Sequence, residues 1–179
     1  MTEPTDMELI RRSATGDRPA FERLVDRHYD RVYRIAYKWC GRRQDAEDVS
    51  QEVFVKLARS VNTFGHRAAF RTWLYRVVIN TAKDHWRKQA TRKRYEQAFV
   101  QQQAADNPGP GPAPADATAA LYRALGRLPD KQKAAVLLVL AEGLSHKEAA
   151  AVLRCRESTV SWRIFAARKK LQKELSPGI

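Results

Sequence analysis

The sequence predicts an all-α protein made of two small helical domains joined by a flexible linker. Three observations predict it. Apolar residues recur at spacings of three and four along both halves, and nothing alternates cleanly at period two over a strand's length. The stretch Gln101 to Ala115, QQQAADNPGPGPAPA, has no apolar periodicity, and its alternation of proline and glycine suits neither helix nor sheet. The C-terminal run from Leu144 to Leu171 reads as two helices with a tight break, a helix-turn-helix. The expected division is residues 1–97, a linker over 98–116, and a second domain over 117–176.

The first helix is marked by Phe21, Leu24, Val25, Tyr29, Val32, Ala36 and Trp39, and Gly41 ends it. A second helix is expected from about Gln44 to Arg59, with Val49, Val53 and Leu57 at intervals of four and Ala46 and Phe54 widening the stripe. On a helical wheel Asp45, Asp48 and Glu52 share a different, outward face. A third helix spans about 68–94, with Phe70, Trp73, Leu74, Val77, Val78 and Thr81 inward. In the second half Leu121, Leu125 and Leu128 mark one helix. Pro129 opens the next at its first position, and Val136, Leu137, Leu140 and Ala141 form its core side before Gly143 closes it. Ser145 followed by Glu148 is a capping box that starts the helix carrying Ala149, Ala150, Val152 and Leu153. Val160, Ile164, Ala167 and Leu171 give the last helix its buried stripe.

At 179 residues with 44% apolar content the chain can bury real cores. A formal charge of +13 and a pI near 10.1 favour a polyanionic partner, because cations placed on phosphates release condensed counterions. Nucleic acid is preferred to membrane, since no apolar run approaches the roughly 20 residues of a span. The N-terminus lacks the regions of a signal peptide, so a cytoplasmic protein is expected. Cys40 and Cys155 stand apart and read as reduced, and the four histidines have no ligand spacing. No phosphate loop, nucleophile elbow or catalytic carboxylate pair is present, so neither enzyme activity, nor a metal, nor a cofactor is expected.

Three patterns carry the functional reading. The last helix and the turn before it are strongly basic, with Arg154, Arg156, Arg163, Arg168, Lys169, Lys170 and Lys173, as suits an element laid in a DNA groove. Asp45-Ala46-Glu47-Asp48 stands out in a basic chain, and such a patch suits a basic protein surface. Acids at a helix start also complement its dipole, which explains Asp45 and Glu47 better than Asp48 and Glu52. Finally Phe64, Phe70, Trp73, Tyr75 and Trp86 are interleaved with Arg71, Arg76, Lys83, Arg87 and Lys88, a pairing suited to unpaired bases and their backbone. Asn80, in mid-helix, could contact a base edge or only a neighbour.

These residues resemble the extracytoplasmic-function group of bacterial RNA polymerase sigma factors. Residues 45–56, DAEDVSQEVFVK, look like its region 2.2; residues 70–84, FRTWLYRVVINTAKD, look like regions 2.3 and 2.4; Leu128 to Leu171 is similar to region 4. The resemblance implies docking on the beta-prime clamp helices of core polymerase through Asp45, Asp48, Gln51 and Glu52, with the beta flap as a second contact. It implies a minus-10 element bound and melted by Phe64, Arg71, Trp73, Tyr75, Arg76, Asn80, Lys83, Arg87 and Lys88. It implies a minus-35 element read by Arg156, Ser158, Thr159, Ser161, Trp162, Arg163, Phe165 and Arg168. Promoter DNA and a partner anti-sigma factor follow as partners, without membrane insertion. The chain departs from the family where it has Arg154 and Ser158 in place of frequent glycines, and Trp162 where a small or basic residue is usual. A two-domain repressor or activator with an N-terminal sensing domain is the alternative, and the acidic stripe beside an aromatic, basic helix argues against it.

Overall fold

The computed structural model describes residues 3–61, 69–101 and 117–175. Among these, every regular element is helical: α1 (Asp6–Ala14), α2 (Arg18–Cys40), α3 (Arg43–Ser60), α4 (Phe70–Gln101), α5 (Ala117–Gly126), α6 (Asp130–Val136), a π-turn (Leu137–Ala141), α7 (His146–Leu153) and α8 (Glu157–Leu175). Phe64 and residues 102–116 of the predicted linker lie outside the described residues. α4 runs on to Gln101, past the expected domain edge at 97.

α1 was not expected, yet its start has a sequence signal: Thr5 and Glu8 form a reciprocal capping box. The helix buries Leu9 and Ile10 against α2. Arg27 Nη1 donates to Asp6 Oδ1 at 2.9 Å, and His28 Nε2 lies 3.0 Å from Oδ2. Burial works to raise the Asp6 carboxyl, but its bonds to Arg27 and His28 outweigh that and hold it below the ordinary 3.8. A depressed carboxylate stabilises the fold above the ordinary value and loses that contribution as pH falls through it. Stability therefore falls more steeply for the native chain than for Asp6→Asn between about pH 5 and about pH 3. Urea midpoints at the two pH values check this, and equal slopes would remove the account of how α1 is tied down.

α2 starts at Asp17, whose side chain accepts from Ala20 N–H, and ends at Gly41, which takes a left-handed φ of 69°. Glycine is favoured there by that backbone conformation, while a Cβ would only touch the Tyr122 ring of α5 at 3.4 Å. Leu24, Val32 and Ala36 of α2, Val49, Val53 and Leu57 of α3, and Leu74 and Val78 of α4 are buried together. Burying a side chain of this size stabilises by roughly 1.5–3 kcal/mol.

Three expectations for the second half are corrected. Pro129 is the N-cap of α6 and not its first residue, its carbonyl accepting from Gln132 and Lys133 N–H. Leu121 is exposed, and Leu125 and Leu128 carry the packing of α5 on α8 with Val136 and Ala167. The π-turn bonds Glu142 N–H to Leu137 O and rotates the stripe out of its 3.6 period. Leu138 is thereby buried, while Leu140 and Ala141 face outward.

The two halves share one core. Trp39, Cys40 and Ile79 of the first belong to the same buried cluster as Ala134, Leu138 and Val152 of the second. Burial first, and then Asp45, push the Cys40 thiol up to about 12, so it stays an unreactive apolar side chain.

Candidate nucleic-acid interface

α3 presents a narrower acidic face than the wheel suggests. Asp48, Glu47 and Gln51 are exposed, and Glu52 is half-buried with Lys56 Nζ 2.9 Å from its Oε1. Asp45 is the correction: its expected outward position is not found, because it is 4% exposed beneath α4. Gln89 donates to Asp45 Oδ1, and His85 Nε2 lies 3.4 Å from the same oxygen. Asp45 thus joins α3 to α4 and offers no surface, leaving Asp48, Gln51 and Glu52 as the accessible set.

α4 distributes its candidates unevenly. Asn80, Arg87 and Lys88 are exposed, and Lys83 and Trp73 are half-buried. Trp73 stacks on Phe70 at 5.9 Å between ring centroids. Tyr75, expected to stack on bases, is instead buried, and its hydroxyl lies 3.4 Å from Glu142 Oε2 of the second half. Arg71 stands over the Tyr75 ring and donates to its hydroxyl, which raises the guanidinium's already high pKa. Arg76 is diverted further, its guanidinium donating to Ala151 O at 2.8 Å and Val152 O at 3.1 Å. It acts as a C-cap from another domain for α7, at the negative end of that helix's dipole.

α7 and α8 meet as the predicted helix-turn-helix. The capping box is formed, with Glu148 N–H donating to Ser145 Oγ and Ser145 N–H donating to Glu148 Oε2. α7 ends on Arg154 in the left-handed region, φ 50°, ψ 51°, where a glycine would rest without strain. Arg154→Gly should raise stability by about 1 kcal/mol, seen as a melting temperature higher by roughly 2–4 °C. A lower melting temperature would mean the arginine side chain contributes more than its backbone costs.

α8 turns Val160, Ile164 and Ala167 inward, as expected. Arg156, Ser158, Ser161 and Arg168 are exposed, Thr159 and Arg163 half-buried. Trp162 and Phe165, one turn apart, are 63% and 69% exposed, an apolar pair on the solvent face of a basic helix. The Ser161 hydroxyl is already engaged, 2.8 Å from His146 Nδ1 and bonded to Glu157 O.

A polar seam that sequence reasoning missed holds the halves together. Lys133 of α6 is 5% exposed, donates to Trp39 O at 2.6 Å, and sits over both the Trp39 and Trp86 rings at 5.1 and 5.3 Å. Lys38 donates to Ala141 O and Glu142 Oε1, and Arg87 pairs with Asp130 at 3.1 Å. A cation on an otherwise apolar stripe, Lys133 ahead of Val136 and Leu137, was the available signal. In this arrangement the second half engages Arg76, and Asn80 and Lys83 stand on the wall of an open pocket beside it, Asn80 still exposed.

Residues 24–92 match the family model of Sigma-70 region 2, and residues 118–171 that of Sigma-70, region 4. The chain is 32% identical to the RNA polymerase sigma-H factor of Pseudomonas aeruginosa, covering 99% of this chain and 97% of that one. It is 37% identical to the ECF RNA polymerase sigma factor SigE of Mycolicibacterium smegmatis, over 97% of this chain and 69% of the relative. Among solved structures, CnrH in complex with the cytosolic domain of CnrY superposes with a TM-score of 0.68 at 28% identity, covering 93% of this chain and 94% of that one. The Bartonella quintana sigma factor RpoE, solved with the anti-sigma factor NepR, shares the fold at 22% identity and TM-score 0.62, over 87% of this chain and 96% of that one. With both regions matched in order and relatives aligned along nearly the whole chain, the protein belongs to the extracytoplasmic-function sigma factors of bacterial RNA polymerase.

Proposed function

We propose that this sigma factor docks on core polymerase through Asp48, Gln51 and Glu52, and melts and holds the minus-10 element with α4. α8 reads the minus-35 element from the major groove, with Arg156, Ser158, Thr159, Trp162, Arg163, Phe165 and Arg168 as the reading face. The observation that carries this reading is the separation of charge: an exposed acidic face on α3, cations on α4 and α8, within one chain of formal charge +13. A negative surface repels phosphate and suits a basic protein, so the two kinds of partner are sorted onto different helices.

The chain itself makes and breaks no bond; nucleotide addition belongs to the polymerase. It works in the cytoplasm, beside the chromosome, and among the described residues no helix is long and apolar enough to cross a membrane. A dedicated protein inhibitor is part of the proposal, since the similar CnrH was solved with the cytosolic domain of CnrY. The test is run-off transcription with purified core polymerase and fragmented genomic DNA. Discrete transcripts that depend on this chain are expected, with shared sequences upstream of their starts. Transcripts identical with and without it would overturn the reading.

A further inference from the structure

The seam between the halves forms an open pocket of about 210 Å³, room for roughly seven waters at about 30 Å³ each. Arg76 and Lys83 enter it from α4, and Lys131, Arg154 and Arg163 from the second half, against one carboxylate, Asp130. That carboxylate is already paired with Arg87. Among the described residues the side chains of Lys83, Lys131 and Arg154 make no ion pair or hydrogen bond. Trp39 lines the cavity with its indole Nε1 buried and without an acceptor, and Asn80 adds an amide. Closing the seam therefore crowds like charges together. The Arg76 guanidinium is held below its ordinary value, by burial first and then by the charge of Arg154.

We propose that this cavity binds a compact oligophosphate anion, which holds the two halves shut. Arginine forks and lysine point charges suit phosphate oxygens, and Lys83, Lys131, Arg154 and Arg163 line one pocket from the two halves beside Arg76, whose guanidinium already bonds the α7 carbonyls. An anion that touches both walls binds the closed form better than the open one and shifts the population toward it. On the promoter reading of α4, an anion held against Lys83 beside the engaged Arg76 would also oppose promoter binding there. The site does not depend on the promoter reading, since the polymerase takes no part in the test.

Calorimetric titration of the full chain with sodium tripolyphosphate tests it, with ATP and a short single-stranded DNA as parallel arms. One site per chain is expected, with a melting temperature that rises with ligand concentration. The combined change Lys83→Gln and Lys131→Gln should weaken binding on the order of tenfold or more, while Lys170→Gln, exposed elsewhere on α8, leaves it unchanged. Lys133→Glu, outside the cavity but within the seam, should also weaken it by parting the walls. If that variant loses helical circular dichroism, Arg87→Glu opposite Asp130 replaces it. ATP binding as well as or better than tripolyphosphate supports a site for phosphate tails. Several weak sites, affinity indifferent to the lysine or seam changes, or binding of DNA alone would each overturn the proposal.

Discussion

Replacing Asp48 and Glu52 together by lysine is expected to abolish binding to core RNA polymerase and to leave the helical content intact. Asp48 is exposed, and the Glu52 pair with Lys56 is a half-exposed i,i+4 contact, worth only about 0.3–0.5 kcal/mol. The fold therefore loses little. At a docked interface the same change turns two complementary charges into repulsive ones, which costs several kcal/mol, or upward of about 100-fold in affinity. Fluorescence anisotropy with labelled chain measures it, and an affinity within about threefold of native would remove α3 from the docking surface. Asp45→Lys is a poor substitute for this experiment. Its carboxylate is buried against Gln89 and His85, so a lysine there would disturb the α3–α4 packing and mimic a docking defect.

Trp39→Ala should destabilise the chain by about 3–5 kcal/mol, through lost burial and the cavity left behind. Trp39 is 2% exposed in a core shared by both halves, and its ring is one face of the Lys133 cage. Removing it leaves a buried ammonium with half its aromatic partners, which adds to the cost. For a chain of this length the melting temperature should fall by roughly 6–20 °C. Leu121→Ala, at a 42% exposed position, should stay within about 0.5 kcal/mol of native. A Trp39→Ala loss below about 1 kcal/mol would mean that the halves do not share this core in solution.

Much of the helical framework was legible because apolar period alone determines it. Leu24, Val32 and Ala36, or Val160, Ile164 and Ala167, need no knowledge of what lies across the interface. α1 was equally legible through Thr5 and Glu8 but is too short for periodicity to announce. Asp45 was misplaced because the residues that cover it, His85 and Gln89, come from a helix some 40 positions onward. The π-turn follows from how Leu137 and Leu138 fit neighbouring helices, which no local pattern encodes. The seam was hidden for the same reason: Arg76 meets Ala151, and Lys38 meets Glu142, across the linker. Of the candidate site, the exposed positions on α8 follow directly from its period, whereas the diversion of Tyr75 and Arg76 depends on the partner half.

Arg76 satisfies the last carbonyls of α7 in the shut molecule and, on the proposed reading, would satisfy promoter phosphates in the working one. Unlatching is then a swap of oxygen for oxygen, in which the guanidinium is never left bare in either state. A residue that serves both ends of an equilibrium biases neither strongly, since only the difference between its two engagements counts. On that reading such a cation would let the factor toggle over a shallow gradient, with the direction of the toggle left to whichever partner arrives.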